Sequence, residues 1–339
     1  MVDRRIHICY LLFLTACADK NTGIVFPETA TLSVAHVYNT DVYMRYPYRI
    51  RTAGSSVYVM DLHATEYYIH RLSGETDGKY IASYGMRGQG PMELLDAENI
   101  RTDSENRLWT LDANRRKLVV WDSCGQVEIN LSPQLIRPLD FALLDDSTFI
   151  LPDYTGEHRI CLVNRNGDII KKLFSIPDKR RLHTSHTSLA QAWRSFIDYN
   201  QKTGILAVVT QLGQVIEIYN LKEERPIASI NVGNGAPQFS EKQNYAIPEG
   251  IMGYSDVYVS DSTIYALFWG HSFKELYSGK VNHEGGNRLQ VFDAEGNPLK
   301  EYILDRYITG FCIDKTNDKL IALDVNSDQP IVGYNFLTK

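Results

Sequence analysis

Short runs of alternating apolar and polar residues fill almost the whole chain, and the runs come in pairs. They are Ser56–Asp61 with Glu66–His70, Arg107–Asp112 with Leu118–Asp122, and Thr148–Asp153 with Arg159–Asn164. Then follow Gly204–Val209 with Gln214–Tyr219, Thr263–Phe268 with Arg288–Asp293, and Lys319–Asp324 with Pro330–Phe336. A period of two puts alternate side chains on opposite faces, so each run predicts a β-strand. Asp, Asn and Gly between the runs predict tight antiparallel turns. The anchors Tyr58, Trp109, Phe149, Leu206, Tyr265 and Ile321 recur every ~40–60 residues, the spacing of propeller blades. The period predicts an all-β fold: a six-bladed propeller of four-stranded antiparallel blades. Ile331 to Phe336 is the last inner strand available, and Thr31 to Val37 is placed to complete the final blade, because an unpaired sheet edge invites aggregation. Ser188 to Tyr199 is the one stretch with a helical turn or two. The rival arrangement is a sandwich or two all-β domains, and the absence of a dividing Pro/Gly/Ser linker counts against two domains.

The N-terminus has a different pattern. Arg4 and Arg5 precede an apolar run, Ile6 to Phe13, and Leu14, Thr15, Ala16 and Cys17 follow. A span needs ~20 apolar residues, so this run reads as a removed export signal. Its ending resembles a bacterial lipobox, which implies that Cys17 becomes the lipidated N-terminus. The expected organisation is a signal at 1–16, a polar tether at 17–28 and one propeller at 29–339, in a protein held by lipid in the cell envelope, at the outer membrane rather than the inner.

Composition narrows the partners. Asp3, Arg4 and Arg5 leave with the signal, which takes one net positive charge from −6 and leaves −7. Nucleic acid needs a dense cationic face, and the one basic cluster, Lys179 to Arg181, is a short solvated loop. Tyr outnumbers Phe, 21 to 12, which suits half-buried strands and wet binding surfaces. Past Cys9 and Cys17, the remaining Cys124, Cys161 and Cys312 lie far apart without metal spacing and read as small buried residues.

Residues 83–94 hold Gly85, Gly88, Gly90, Pro91 and Glu93 in the order Gly-x-x-Gly-x-Gly-Pro-x-Glu. This element resembles one in the six-bladed, TolB-like propeller lipoproteins of Gram-negative bacteria. Met92 stands where glycine is usual, and Leu94 where an aromatic is. The resemblance implies a membrane-tethered propeller and carries no catalytic residues. Read from its residues, the loop is an interblade turn. Its spacing is not that of a dinucleotide site, and no helix follows.

In a four-stranded blade, the loop to the next blade and the loop between strands two and three share one face. The long connections Ile176 to Ala192 and Val232 to Gly253, and the insertion Trp269 to Asn287, all fall there. Function is expected on that rim. Arg87, Glu93, Arg115, Tyr154, Tyr245, Trp269 and His271 are the candidate ligand contacts, offering flat aromatic faces and charged donors or acceptors. Phe239, Tyr254, Phe273 and Tyr277 share the rim. Asp61 and Asp112, which end second strands there, and His183 and His186 are the candidate ligands for Ca²⁺ or another divalent ion. No resident cofactor is otherwise expected. The competing reading of these aspartates is capping of turn N–H groups.

No Gly-x-Ser-x-Gly, phosphate loop or Cys-x-x-Cys motif occurs. The leading expectation is therefore a binding protein, whose insertion-bearing face takes a peptide, protein or glycan. The alternative is a hydrolase or lyase for a polysaccharide or lactone, with Ca²⁺ or another metal in the channel; a convergent cluster of His183, His186, His271 or His283 with an Asp would mark it, and His271, His283 and Glu284 would form a His/Glu site if both insertions fold over the channel.

Overall fold

A computed structural model describes residues 25–75, 78–122, 125–178, 183–231, 235–240, 247–314 and 319–336. The signal, Cys17, Cys124, the 179–181 basic cluster and Tyr245 lie outside the described residues.

Two short strands come first, β1 (Thr29–Leu32) and β2 (His36–Val37). Blade one is β3 (Pro47–Ala53), β4 (Ser56–Asp61), β5 (Tyr67–Ser73) and β6 (Tyr80–Met86). Blade two is β7 (Ala97–Thr102), β8 (Leu108–Asp112), β9 (Lys117–Asp122) and β10 (Gly125–Asn130). Blade three is β11 (Ala142–Leu143), β12 (Thr148–Pro152), β13 (His158–Asn164) and β14 (Ile169–Ser175). A short helix, α1 (His186–Ala192), precedes blade four: β15 (Ser195–Asn200), β16 (Ile205–Thr210), β17 (Val215–Asn220) and β18 (Arg225–Asn231). Blade five is β19 (Tyr254–Val259), β20 (Thr263–Phe268), β21 (Gly286–Asp293) and β22 (Pro298–Ile308), with helix α2 (Phe273–Tyr277) between its second and third strands. Blade six takes β23 (Gly310–Asp314), β24 (Lys319–Leu323) and β25 (Ile331–Asn335) from the C-terminus.

Each blade is an antiparallel meander, and all six strand pairs read from the sequence are its second and third strands. The period of two explains the core. Val57 and Val59 of β4 face blade six, and Tyr58 and Met60 of the same strand face blade two. Every interblade layer is built this way, as where Trp109 of β8 meets Phe149 of β12 at 5.2 Å. β4, β8, β12 and β16 are therefore buried throughout, and each large apolar side chain they bury contributes about 1.5–3 kcal/mol. Cys161 and Cys312 are free thiols in these layers.

The N-terminal strand closes the ring, with a refinement. β2 alone forms the outer strand of blade six, antiparallel to β25. β1 instead adds to blade five as a fifth strand, parallel to β22. The chain is bent between them at Val34, whose N–H donates to the Asp305 carboxylate at 3.0 Å. β25 is accordingly third from the channel, and β23 is the inner strand. The helical expectation over 188–199 is also corrected: α1 stops at Ala192, and Ser195 onward is the inner strand of blade four. Among the described residues no helix is long and apolar enough to cross a membrane.

The inner strands are stitched across the channel by acids. Asp140, Asp198 and Asp256 each accept an N–H from the next blade, Ile197 at 2.8 Å, Val259 at 2.7 Å and Phe311 at 3.1 Å. Arg101 donates to Asp140 at 2.9 Å, and Arg51 pairs with Asp256 at 3.3 Å. Burial alone would raise the Asp256 pKa; Arg51, Arg49 and Arg101 together bring it below its usual value. This charged layer divides the channel into an upper and a lower mouth.

Candidate functional site at the upper channel mouth

The upper face carries the interblade loops and the insertion of blade five. A cavity of about 340 Å³ opens there at the channel axis. Tyr46, Tyr48 and His63 wall it on the side of blade one. Phe196 and Gln211 come from blade four, and Tyr254, Trp269 and Glu284 from blade five.

Each wall is held by backbone chemistry. The Asp61 carboxylate accepts the N–H groups of Arg45 and Tyr46 at 2.8 Å and of His63 at 3.1 Å, which places two of the lining residues. The Tyr46 hydroxyl donates to Glu284 at 2.5 Å. Burial first, then Glu284, pushes the Tyr46 phenol well above its usual pKa, so it stays a donor. Asn326 fixes Glu284 through both backbone groups: its side-chain oxygen accepts at 2.9 Å, and its amide donates at 3.0 Å. On the far wall, Trp269 N–H donates to Gly253 O at 2.9 Å, and Gly253 N–H to Gln211 O at 2.8 Å. Only glycine fits at 253, because a Cβ would lie 2.0 Å from Gly213 O.

Below the aromatic walls lies Arg49, fully buried, with its guanidinium 3.8 Å from the Tyr48 ring centre and 4.7 Å from that of Phe196. The Trp269 indole Nε1–H is buried and has no partner among the described residues. Buried donors are nearly always satisfied, so an unpaired one on a cavity wall marks where a ligand acceptor would bind. Flat rings on facing walls, one free donor and the Gln211 amide suit a ring or a short peptide segment.

The sequence candidates divide sharply. Trp269 lines the cavity, and His271 borders it through the insertion: its carbonyl accepts Met252 N–H at 2.9 Å, and its ring lies 5.6 Å from that of His283. His283 stacks on Tyr307, and burial lowers its pKa. Arg87, Glu93 and Arg115 do not reach the cavity, because the glycine-rich loop occupies them. Arg87 donates to Ala64 O at 2.7 Å. The Glu93 carboxylate accepts Gly90 N–H at 2.7 Å and fills the space a Cβ on Gly88 would need. Arg115 gathers the carbonyls of Glu93, Gly90 and Gly88 at 2.8, 3.2 and 3.3 Å. Tyr154 is buried between blades three and four, bonded to Ser195 O at 3.0 Å.

The metal candidates are dispersed. Asp61 caps the loop as above. Asp112 does the same for Leu95 N–H at 2.7 Å and Arg115 N–H at 3.0 Å. His183 and His186 are exposed around the start of α1. Among the described residues no three of His, Cys, Asp or Glu gather as a ligand set. Sequence reading singled out Glu284 with the insertion histidines and missed Tyr46, His63 and Gln211, as well as the channel acids. Single aspartates and arginines inside otherwise apolar first strands were the available signal for the latter.

Among solved structures the chain resembles a member of the DUF4221 family from Bacteroides vulgatus, with 11% identity and a TM-score of 0.58 over 93% of this chain and 98% of that one. It also resembles a Bacteroides fragilis protein described as exported, with 13% identity and a TM-score of 0.57 over 92% and 99%. A streptogramin B lyase follows, with 13% identity and a TM-score of 0.54 over 90% and 87%. At these identities the likeness is one of fold. A search among curated proteins returns no match. The model of the TolB-like 6-blade propeller family matches residues 25–316, and with the six blades described above this places the chain in that family.

Proposed function

We propose that this protein is a lipid-anchored propeller of the cell envelope that binds a peptide, protein or glycan at the upper channel mouth. The observation that carries the reading is the aromatic cavity of about 340 Å³ with the buried, unpartnered Trp269 Nε1–H on its wall. The insertion that carries Trp269 is also what lengthens this rim. Pull-down from envelope extracts, followed by calorimetry with the recovered ligand, tests it. The wild type should retain the ligand, and the double variant Tyr46→Ala/Trp269→Ala should not. Equal recovery by both would remove the site assignment.

The anchor has its own test. Cys17 is the proposed lipid site, with membrane binding made stable by more than one acyl chain. Cys17→Ala should release a folded protein into the soluble fraction and abolish labelling with radioactive palmitate. Retention in the membrane with label would refute it.

A second reading, a propeller hydrolase or lyase, is favoured by one observation: the His271 and His283 rings lie 5.6 Å apart, tilted by 58°, in the insertion that also carries Glu284. Turnover of a polysaccharide or lactone that His283→Ala abolishes would select it over simple binding.

A further inference from the structure

The walls of the upper mouth keep little backbone for a ligand. Tyr46 O accepts Leu62 N–H at 2.9 Å, and the carbonyls of Gln211 and Gly253 accept the N–H groups of Gly253 and Trp269. Met252 donates to His271 O and accepts from Gly270 N–H, both at 2.9 Å. Ser255 O takes the Arg49 guanidinium at 2.7 Å, and Asn326 holds both backbone groups of Glu284. An extended peptide is held through its main chain by an open strand edge. These walls offer no such edge.

What they keep free is side chain. Tyr46 and Tyr48 stand on the side of blade one, with Phe196, Tyr254 and Trp269 on the other walls. The Gln211 amide makes no hydrogen bond among the described residues. A pyranose has apolar C–H faces and a rim of hydroxyls that both donate and accept. Its faces pack on aromatic rings, and its hydroxyls suit an amide that does both.

Charge and depth narrow the class. No Lys or Arg is among the lining residues, whereas Glu284 is. The Arg49 charge below them acts on Asp256 and Glu98. An acidic sugar would meet a carboxylate with no cation in the wall to offset it. The floor is closed, because Arg49 reaches from blade one to Ser255 O in blade five and to Thr309 O beside blade six. The volume of about 340 Å³ is near the lower end of the roughly 300–1,000 Å³ of small-molecule pockets. Such a mouth admits the end of a chain and not its middle.

We infer that the upper mouth takes the end of a neutral glycan, one or two pyranose rings deep. This rests on the reading of the upper mouth as the binding site.

The test is calorimetry of the full protein with methyl glycosides and disaccharides of glucose, galactose, mannose and N-acetylglucosamine, each hexose beside its uronic acid. Pull-down from a tetrapeptide library runs in parallel. At least one neutral sugar should bind, its uronic acid at least tenfold more weakly, and its hexasaccharide within about threefold of the disaccharide. Gln211→Leu keeps the backbone bond to Gly253 and should weaken the sugar at least tenfold with the unfolding midpoint unchanged. Trp269→Ala should weaken it at least as much. Binding of no neutral sugar, equal binding of the uronic acid, affinity that climbs with each added ring, or undiminished binding by Gln211→Leu would each overturn the inference. A tetrapeptide retained by the wild type and released by Trp269→Ala would overturn the glycan and keep the mouth as the site. Sugar binding that survives Trp269→Ala would overturn both.

Discussion

Two loops share the upper face and behave in opposite ways. The glycine-rich loop at 85–94 has the charges, the motif and the conspicuous sequence. Yet Glu93 closes it from inside, Arg115 ties three of its carbonyls, and Arg87 fastens it to blade one. The insertion at 269–285 has no motif, and it presents an indole N–H and an imidazole nitrogen that are buried and have no partner among the described residues. A pattern that satisfies itself stabilises a turn; unsatisfied groups on a longer loop mark a surface awaiting something. The contrast teaches that glycine spacing reports backbone geometry, and that the free donor is the group on which the proposed site rests.

The contrast is broken most forcefully by raising the pH. Glu98 lies on the strand that follows the glycine loop, beside Arg137, Asp96, Arg49 and Arg194. Burial outweighs the contact with Arg137 and raises its pKa to about 7, from an ordinary 4.5. The folded protein then holds a proton that the unfolded chain releases. The stabilisation is complete below pH ~4.5 and is lost as pH rises through about 7, by up to about 3 kcal/mol. Glu98→Gln should flatten that slope in urea unfolding between pH 5 and 8, and an unchanged slope would contradict it. Next, Arg115→Ala should cost about 2 kcal/mol, since it frees three carbonyls of the loop. It should leave affinity at the upper mouth intact, and a loss of ligand without loss of stability would invert the comparison.

Trp269→Ala is the converse. It should lower affinity at least tenfold, about 1.4 kcal/mol, with a smaller change in the unfolding midpoint. Smallest is Met92→Gly. Met92 takes φ of 65°, the left-handed region, on an exposed turn. Glycine there should gain about 0.5–1 kcal/mol, which thermal unfolding would register as a raised midpoint. A lowered midpoint would mean that the Met92 side chain contributes more than its backbone strain costs.

The second and third strands of every blade were legible because both of their faces are buried and their apolar residues alternate or run continuously. The inner strands were less so. β7, β15 and β19 carry Glu98, Asn99, Asp198 and Asp256, and a charge inside a strand reads as a turn until its partner across the channel is known. β1 was mistaken for part of the closing strand because four residues such as Thr29–Leu32 do not encode which blade they join. The same limit governed the site. Trp269 was found through the length of its insertion. Tyr46 and Glu284 meet across 238 residues of chain, and no local pattern announces such a pair.

That long separation has a temporal side as well. Val37 pairs with Val332, so the outer strand of blade six is made long before its partner, with the other five blades between them. At about 5–20 residues per second of synthesis, β2 waits roughly 15–60 s for β25 to emerge. Through that interval five blades can form in order, while the ring stays open and its two sheet edges stay unpaired. Closure is then a single late event, and the interval before it is when this protein is most exposed to mispairing with a second copy of itself.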